Sequence, residues 1–156
     1  MKALFKSICM GSLLMTGAAH ADVGREEELD KAVRQFAAKE EAVWQACLRR
    51  PDVRTTNDSN MCLSQMMRAA NEKVELKYQA KMARAQQMVE HPDSFSTYEE
   101  VPVLIKASQS NWKKYVKSDC EGIYQQNVSG TARATSSLLC EYKHALQRLR
   151  ALDEWY

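Results

Sequence analysis

The sequence predicts an all-α chain, a single four-helix bundle-like domain with two disulfides. Three observations carry this. Glycine and proline are scarce, at five and three in 156 residues. Ala, Glu, Lys, Gln, Arg and Met, which lose least on entering a helix, abound. Apolar residues recur at steps of three and four along four separate stretches, the spacing of one helix face. No run of four or more residues alternates like a strand between turn signals.

The first element is a leader. Lys2 and Lys6 precede an apolar stretch from Ser7 to about Ala19, and Ala19-His20-Ala21 follows with small residues at the two positions a signal peptidase reads. The apolar run, at about 13 residues, is shorter than the roughly 20 a membrane-spanning helix needs. The pattern predicts a signal peptide over residues 1–21, cleaved after Ala21, and a helical domain over 22–156 that is periplasmic or secreted. Cys9 falls within the leader. Cleavage removes two lysines and no acids from a chain of 22 basic and 20 acidic residues, leaving 20 against 20. A neutral mature chain has no bulk attraction for nucleic acid or anionic lipid. Its length is that of one domain with a core of its own.

Four helices are expected. The first runs from about Glu26 to Leu48, with Leu29, Val33, Phe36, Glu40, Val43 and Cys47 on one side, widened by Ala37 and Trp44, and Pro51 beyond its end. The second follows the polar cluster 55–59, which is rich in capping residues. It carries Leu63, Met67, Ala70, Val74, Tyr78, Met82, Ala85 and Val89 on one face and stops near Glu90 at His91-Pro92. The third is expected to open on Ser96 or Thr97 as cap, with Glu99 and Glu100 at capping-box spacing and Pro102 in the first turn. Its stripe is Ile105, Ser108, Trp112, Tyr115, Asp119 or Cys120, and Ile123, ending before the break at Ser129-Gly130-Thr131. The fourth, from about Ala132 to Glu154, has the most regular stripe: Leu138, Tyr142, Ala145, Leu149, Leu152 and Tyr156. Helices apolar along one side only bury those sides against one another. The loop at 91–98 is the most exposed insertion.

Four cysteines remain after cleavage: Cys47, Cys62, Cys120 and Cys140. An even number in an exported chain implies a disulfide framework, with three pairings open to four cysteines. The turn between the first two helices brings Cys47 near Cys62. A hairpin hinged near Gly130 sets Cys120 and Cys140 level. The predicted pairs are therefore Cys47–Cys62 and Cys120–Cys140. Neither C-x-x-C nor a nearby histidine pair is present, which argues against a zinc site.

Catalytic patterns are missing. His91 and His144, the two histidines outside the leader, have no partner at ligand spacing, and His144 is expected on the polar face of the fourth helix. The chain has no G-x-S-x-G elbow and no glycine-rich phosphate loop. Its carboxylates alternate with lysines and arginines, as on a solvated helix face. The expectation is no enzyme, no cofactor and no metal. Trp112 and Tyr115 are assigned to the core of the third helix in preference to a binding surface. Met61, Met66, Met67, Met82 and Met88 lie on the second helix, mostly as core filler. Met66 and Met67 are retained as candidate contact residues for a partner's helix.

Cys62, Asn71, Val74 and Tyr78, then Ser108-Gln109-x-x-Trp112-x-x-Tyr115 and Cys120, then Gly130-Thr131, Cys140, Arg148 and Leu152, together resemble the LprI-like lysozyme-inhibitor N-terminal-domain family. The resemblance covers about residues 58–153, with the first helix and Cys47 as an added N-terminal element. Gln109, Trp112, Tyr115 and Arg148 form its structural motif. Val116 stands where the family often has arginine, and Ala145 where it often has threonine. The resemblance implies export, an all-helical disulfide-bonded domain and, in some members, inhibition of lysozyme. A protein partner such as lysozyme or another cell-wall hydrolase follows. Lysozymes are commonly basic, so the acidic Glu99 and Glu100, with Glu26-Glu27-Glu28, are candidate contacts, although charge at a helix N-terminus accounts for them equally. An immunity protein against a periplasm-delivered toxin, or a non-catalytic envelope assembly factor, has the same outward features.

Overall fold

The computed structural model describes residues 17–93 and 96–154, with side chains from Glu27 onward except that of Leu29. Most of the expected leader, Tyr156 and the side chains of Glu26 and Leu29 lie outside the described residues. Four helices account for the fold: α1 Gly17–Leu48, α2 Thr56–Glu90, α3 Glu100–Gln126 and α4 Arg133–Glu154. None of them is long and apolar enough to cross a membrane. The chain is thus all-α, as its composition predicts.

α2 and α4 form the central pair. Each also packs on α1 and on α3, while α1 and α3 do not meet among the described residues. The core follows from the two central stripes. Leu63, Met66, Ala70 and Val74 of α2 meet Tyr142, Ala145, Leu149 and Leu152 of α4. Ala70 and Ala145 are completely buried. Small side chains at these positions let two long helices approach closely. From α1, Val33, Phe36 and Trp44 pack on this core from the side and are only partly covered. Val43, expected on that stripe, is exposed, because Trp44 one position along turns inward instead.

The helix ends show which local signals operate. Thr55 caps α2: its Oγ1 accepts from the Asp58 N–H at 3.2 Å, and the Asp58 carboxylate accepts from the Thr55 N–H at 2.9 Å. This reciprocal box satisfies two otherwise orphaned donors. Hydrogen bonds from the Arg54 and Thr55 backbone and the Thr55 hydroxyl hold the Asp58 carboxyl below its ordinary pKa. The box expected at α3 does not form. α3 starts later, at Glu100, with Glu99 as its cap in helical conformation and no side-chain hydrogen bond. Pro102 still lies in the first turn, where its missing N–H leaves no gap.

Both predicted disulfides are present. Cys47–Cys62 ties the end of α1 to the start of α2, with Cα atoms 5.7 Å apart. Cys120–Cys140 ties α3 to α4 across 5.6 Å. The second packs with Val116 in a small satellite core, flanked by Trp112 and Ile123. Two long side chains anchor the C-terminal end of α4 to α2: Lys77 pairs with Asp153, and Lys81 donates to the Leu152 carbonyl. Loss of water around Lys81 lowers its pKa to about 8.

Candidate functional site

The buried face of α3 is Ile105, Gln109, Val116 and Cys120: the expected Ile105 and Cys120 are kept, while Gln109 and Val116 take the places read for Ser108 and Tyr115. The helix is rotated by about one residue from that reading. A polar residue, Gln109, takes a core position and is 3% exposed. The rotation is stabilised from α4. Arg148 Nε donates to Gln109 Oε1 at 3.0 Å, and Nη2 donates to Ser108 Oγ at 3.2 Å. The Arg148 guanidinium also lies 5.8 Å from the Trp112 ring centre, within cation–π range. Burial lowers the Arg148 pKa, as expected for a cation held by neutral partners.

Three of the four motif residues therefore assemble into one cluster, with Ser108 added. The fourth, Tyr115, is a correction. It is 57% exposed rather than core, because the rotation that buries Val116 turns it outward. Its ring meets His144 edge-on at 5.2 Å. Val116 and Ala145, the two departures from the family pattern, are both buried. Apolar side chains there suit the core positions that they occupy.

Beside this cluster lies a cleft of about 530 Å³ between α2, α3 and α4. Asn71, Glu72 and Val74 line it from α2, Gln109 and Trp112 from α3, and Glu141 from α4. Its geometry leaves two groups unsatisfied. Arginine can only donate, so Gln109 must turn its Oε1 toward Arg148. Its Nε2, a buried donor, is left with no acceptor. Glu141 is half-buried, and among the described residues neither a cation nor a donor reaches its carboxylate. Burial alone pushes its pKa above the ordinary value of 4.5. Glu75, in contrast, is held below that value by Gln79 and then by Lys113, whose Nζ lies 3.2 Å from its carboxylate.

These two groups make folding harder. A carboxyl with a raised folded pKa opposes folding above its unfolded pKa and has no effect below it. Glu141→Gln is therefore expected to unfold at higher urea than the parent at pH 7. The gain should shrink as pH falls through the ordinary glutamate range and be gone at about pH 3. Equal gains at both pH values would trace it to packing instead of charge. No single residue marks this site in the sequence. The available signal is that Glu141 stands three after Leu138 and four before Ala145, a charge on the edge of the most regular apolar stripe.

A second polar cluster lies at the Cys120–Cys140 disulfide. His144 Nε2 is 2.7 Å from Asp119 Oδ2, with the His144 side chain 13% exposed. The expectation of an unpartnered His144 on the polar face is thus corrected. α3 and α4 cross so that position 144 faces 119. The Asp119, Cys120, Cys140 and His144 ligand atoms all lie within 4.8 Å of one another. The two sulfurs are bonded to each other, however, which leaves only two groups able to coordinate.

The remaining candidate contacts separate. Met66 is 3% exposed and packs into the central core, so it cannot meet a partner. Met67 is partly covered on the same core, and its sulfur accepts from Asn71 Nδ2 at 2.9 Å. A long helix packed on α1, α3 and α4 turns both methionines inward. Glu99 and Glu100 are exposed at the start of α3, outside the cleft.

A family model described as "Lysozyme inhibitor LprI" matches residues 47–152. The match takes in both disulfides, so Cys47 belongs to the shared domain and not to an added element. No curated protein and no solved structure matches the chain.

Proposed function

We propose, since the chain belongs to the LprI lysozyme-inhibitor family, that it is an exported binding protein that blocks lysozyme or a related peptidoglycan hydrolase. The family match over residues 47–152 carries this reading. Two features support it. The helical domain is stapled at its first and last helix hairpins, so a surface presented to an enzyme loses little freedom on binding. The cleft offers a buried amide, an aromatic ring and a carboxylate, groups suited to recognising a partner's side chain. Disulfides and the leader pattern ending Ala19-His20-Ala21 fit a periplasmic or secreted location.

The test is the lysis of cell-wall substrate by lysozyme, with the oxidised chain added in increasing molar excess. Most of the lytic activity should be lost, and reduction of the inhibitor should restore it. Full lysis at large excess of oxidised chain would falsify the lysozyme reading.

A further inference from the structure

We infer that the cleft between α2, α3 and α4 receives a basic side chain of the partner, its cation set against Glu141 and Trp112 and its backbone carbonyl on Gln109 Nε2. This rests on the inhibitor reading for the identity of the partner, but not for the chemistry of the cleft. The argument starts from the two unsatisfied groups. Gln109 is 3% exposed and its Nε2 has no acceptor. A buried donor left unpaired is costly, and an acceptor delivered by a ligand recovers that cost. Glu141 is a carboxylate partly out of water with no counter-charge beside it among the described residues. It asks for a cation, and Trp112, whose ring already attracts the Arg148 guanidinium at 5.8 Å, lines the same cleft with a ring of the kind that draws one.

Basic residues also line the cleft, and they do not reverse its preference. Lys113 is committed to Glu75 at 3.2 Å. Arg68 and Lys117 are exposed. A hydrated surface cation gains little from a partner, whereas a desolvated carboxylate gains more. Glu72 and Glu121 add negative charge to the walls. An arginine or lysine presented on a loop matches this arrangement. It carries a cation at the end of an apolar stem and a carbonyl at its base. The volume of about 530 Å³ accommodates one such side chain and its flanking peptide groups.

The probe is capped arginine, N-acetyl-arginine amide, titrated into the oxidised full chain while the Gln109 side-chain amide and Trp112 indole are followed by NMR. Both signals should move saturably at millimolar probe, and capped glutamate should leave them in place. Glu141→Gln, which is expected to fold at least as stably as the parent, should weaken the probe at least about tenfold, the loss of one charge-assisted contact. It should weaken lysozyme inhibition by a similar factor. Equal response to capped glutamate, or no response to capped arginine, overturns the proposal. So does a Glu141→Gln chain that inhibits lysozyme as the parent does, and the inhibitor reading then still stands. Capped arginine that binds in a chain without effect on lysozyme has the opposite meaning: the cleft chemistry holds and the lysozyme reading falls.

Discussion

Replacing all four paired cysteines by alanine is expected to remove about 6 kcal/mol of stability, enough to unfold much of the protein at 37 °C. Cys47–Cys62 closes a loop of 15 residues and Cys120–Cys140 one of 20. Loops of that length contribute about 3 kcal/mol each. A domain of this size has only about 5–15 kcal/mol in all. The two staples join different helix pairs and share no partner, so their effects should add. Alanine is the right replacement because all four cysteines are buried, and serine would add an unpaired hydroxyl. The two losses should differ in kind. α1 meets the core through Val33, Phe36 and Trp44, all only partly covered, so opening Cys47–Cys62 frees α1 while α2 and α4 stay packed. Opening Cys120–Cys140 removes two members of the satellite core and loosens α3 from α4. Urea unfolding of each double variant and of the quadruple variant measures the sizes. Amide exchange locates them. A quadruple variant within about 1 kcal/mol of the parent would show that helix packing alone holds the fold.

The parts of this fold that depend on neighbours in sequence are legible in it. Thr55 and Asp58 form a capping box from four consecutive residues. The α4 stripe reads correctly because Tyr142, Ala145, Leu149 and Leu152 are buried, apolar and three or four apart, with Leu138 partly buried one turn before them. The cysteine pairs follow because each bridges a single helix hairpin. The α3 face is misread for the converse reason. Its phase is set by Gln109, a polar residue that is buried because Arg148, on another helix, satisfies its carbonyl oxygen. Apolar spacing alone puts Ser108 and Tyr115 inward. A one-residue rotation places Gln109 and Val116 there instead. The same holds for His144, whose partner Asp119 lies 25 residues away on α3. The resemblance to the LprI family does contain Gln109, Trp112 and Arg148, but as a pattern without a reason. The structure supplies the reason, and adds Glu141, which the pattern does not contain.

Leu149→Ala should cost about 3 kcal/mol, less than the truncation of a second core leucine, Leu63. Leu149 is 2% exposed in the C-terminal third of α4 and packs in the core cluster with Val74, Ala145 and Leu152. The expected value sits low in the range for buried leucines, and the reason is local. Leu149 also lines a hollow of about 410 Å³ shared with Val33 and Phe36 of α1 and Lys77 of α2. Those α1 side chains are only partly covered and can lean into the space that the truncation leaves. Leu63 has no such freedom. It is 1% exposed and follows Cys62, which fixes the start of α2 to the end of α1. Its truncation should leave a cavity that stays open, at about 4 kcal/mol, because the penalty grows with the residual volume. The order of the two losses in urea thus reports whether α1 can shift against the α2–α4 pair. Should Leu149→Ala prove the costlier, α1 is as rigid as the central helices and the hollow beside it does not collapse.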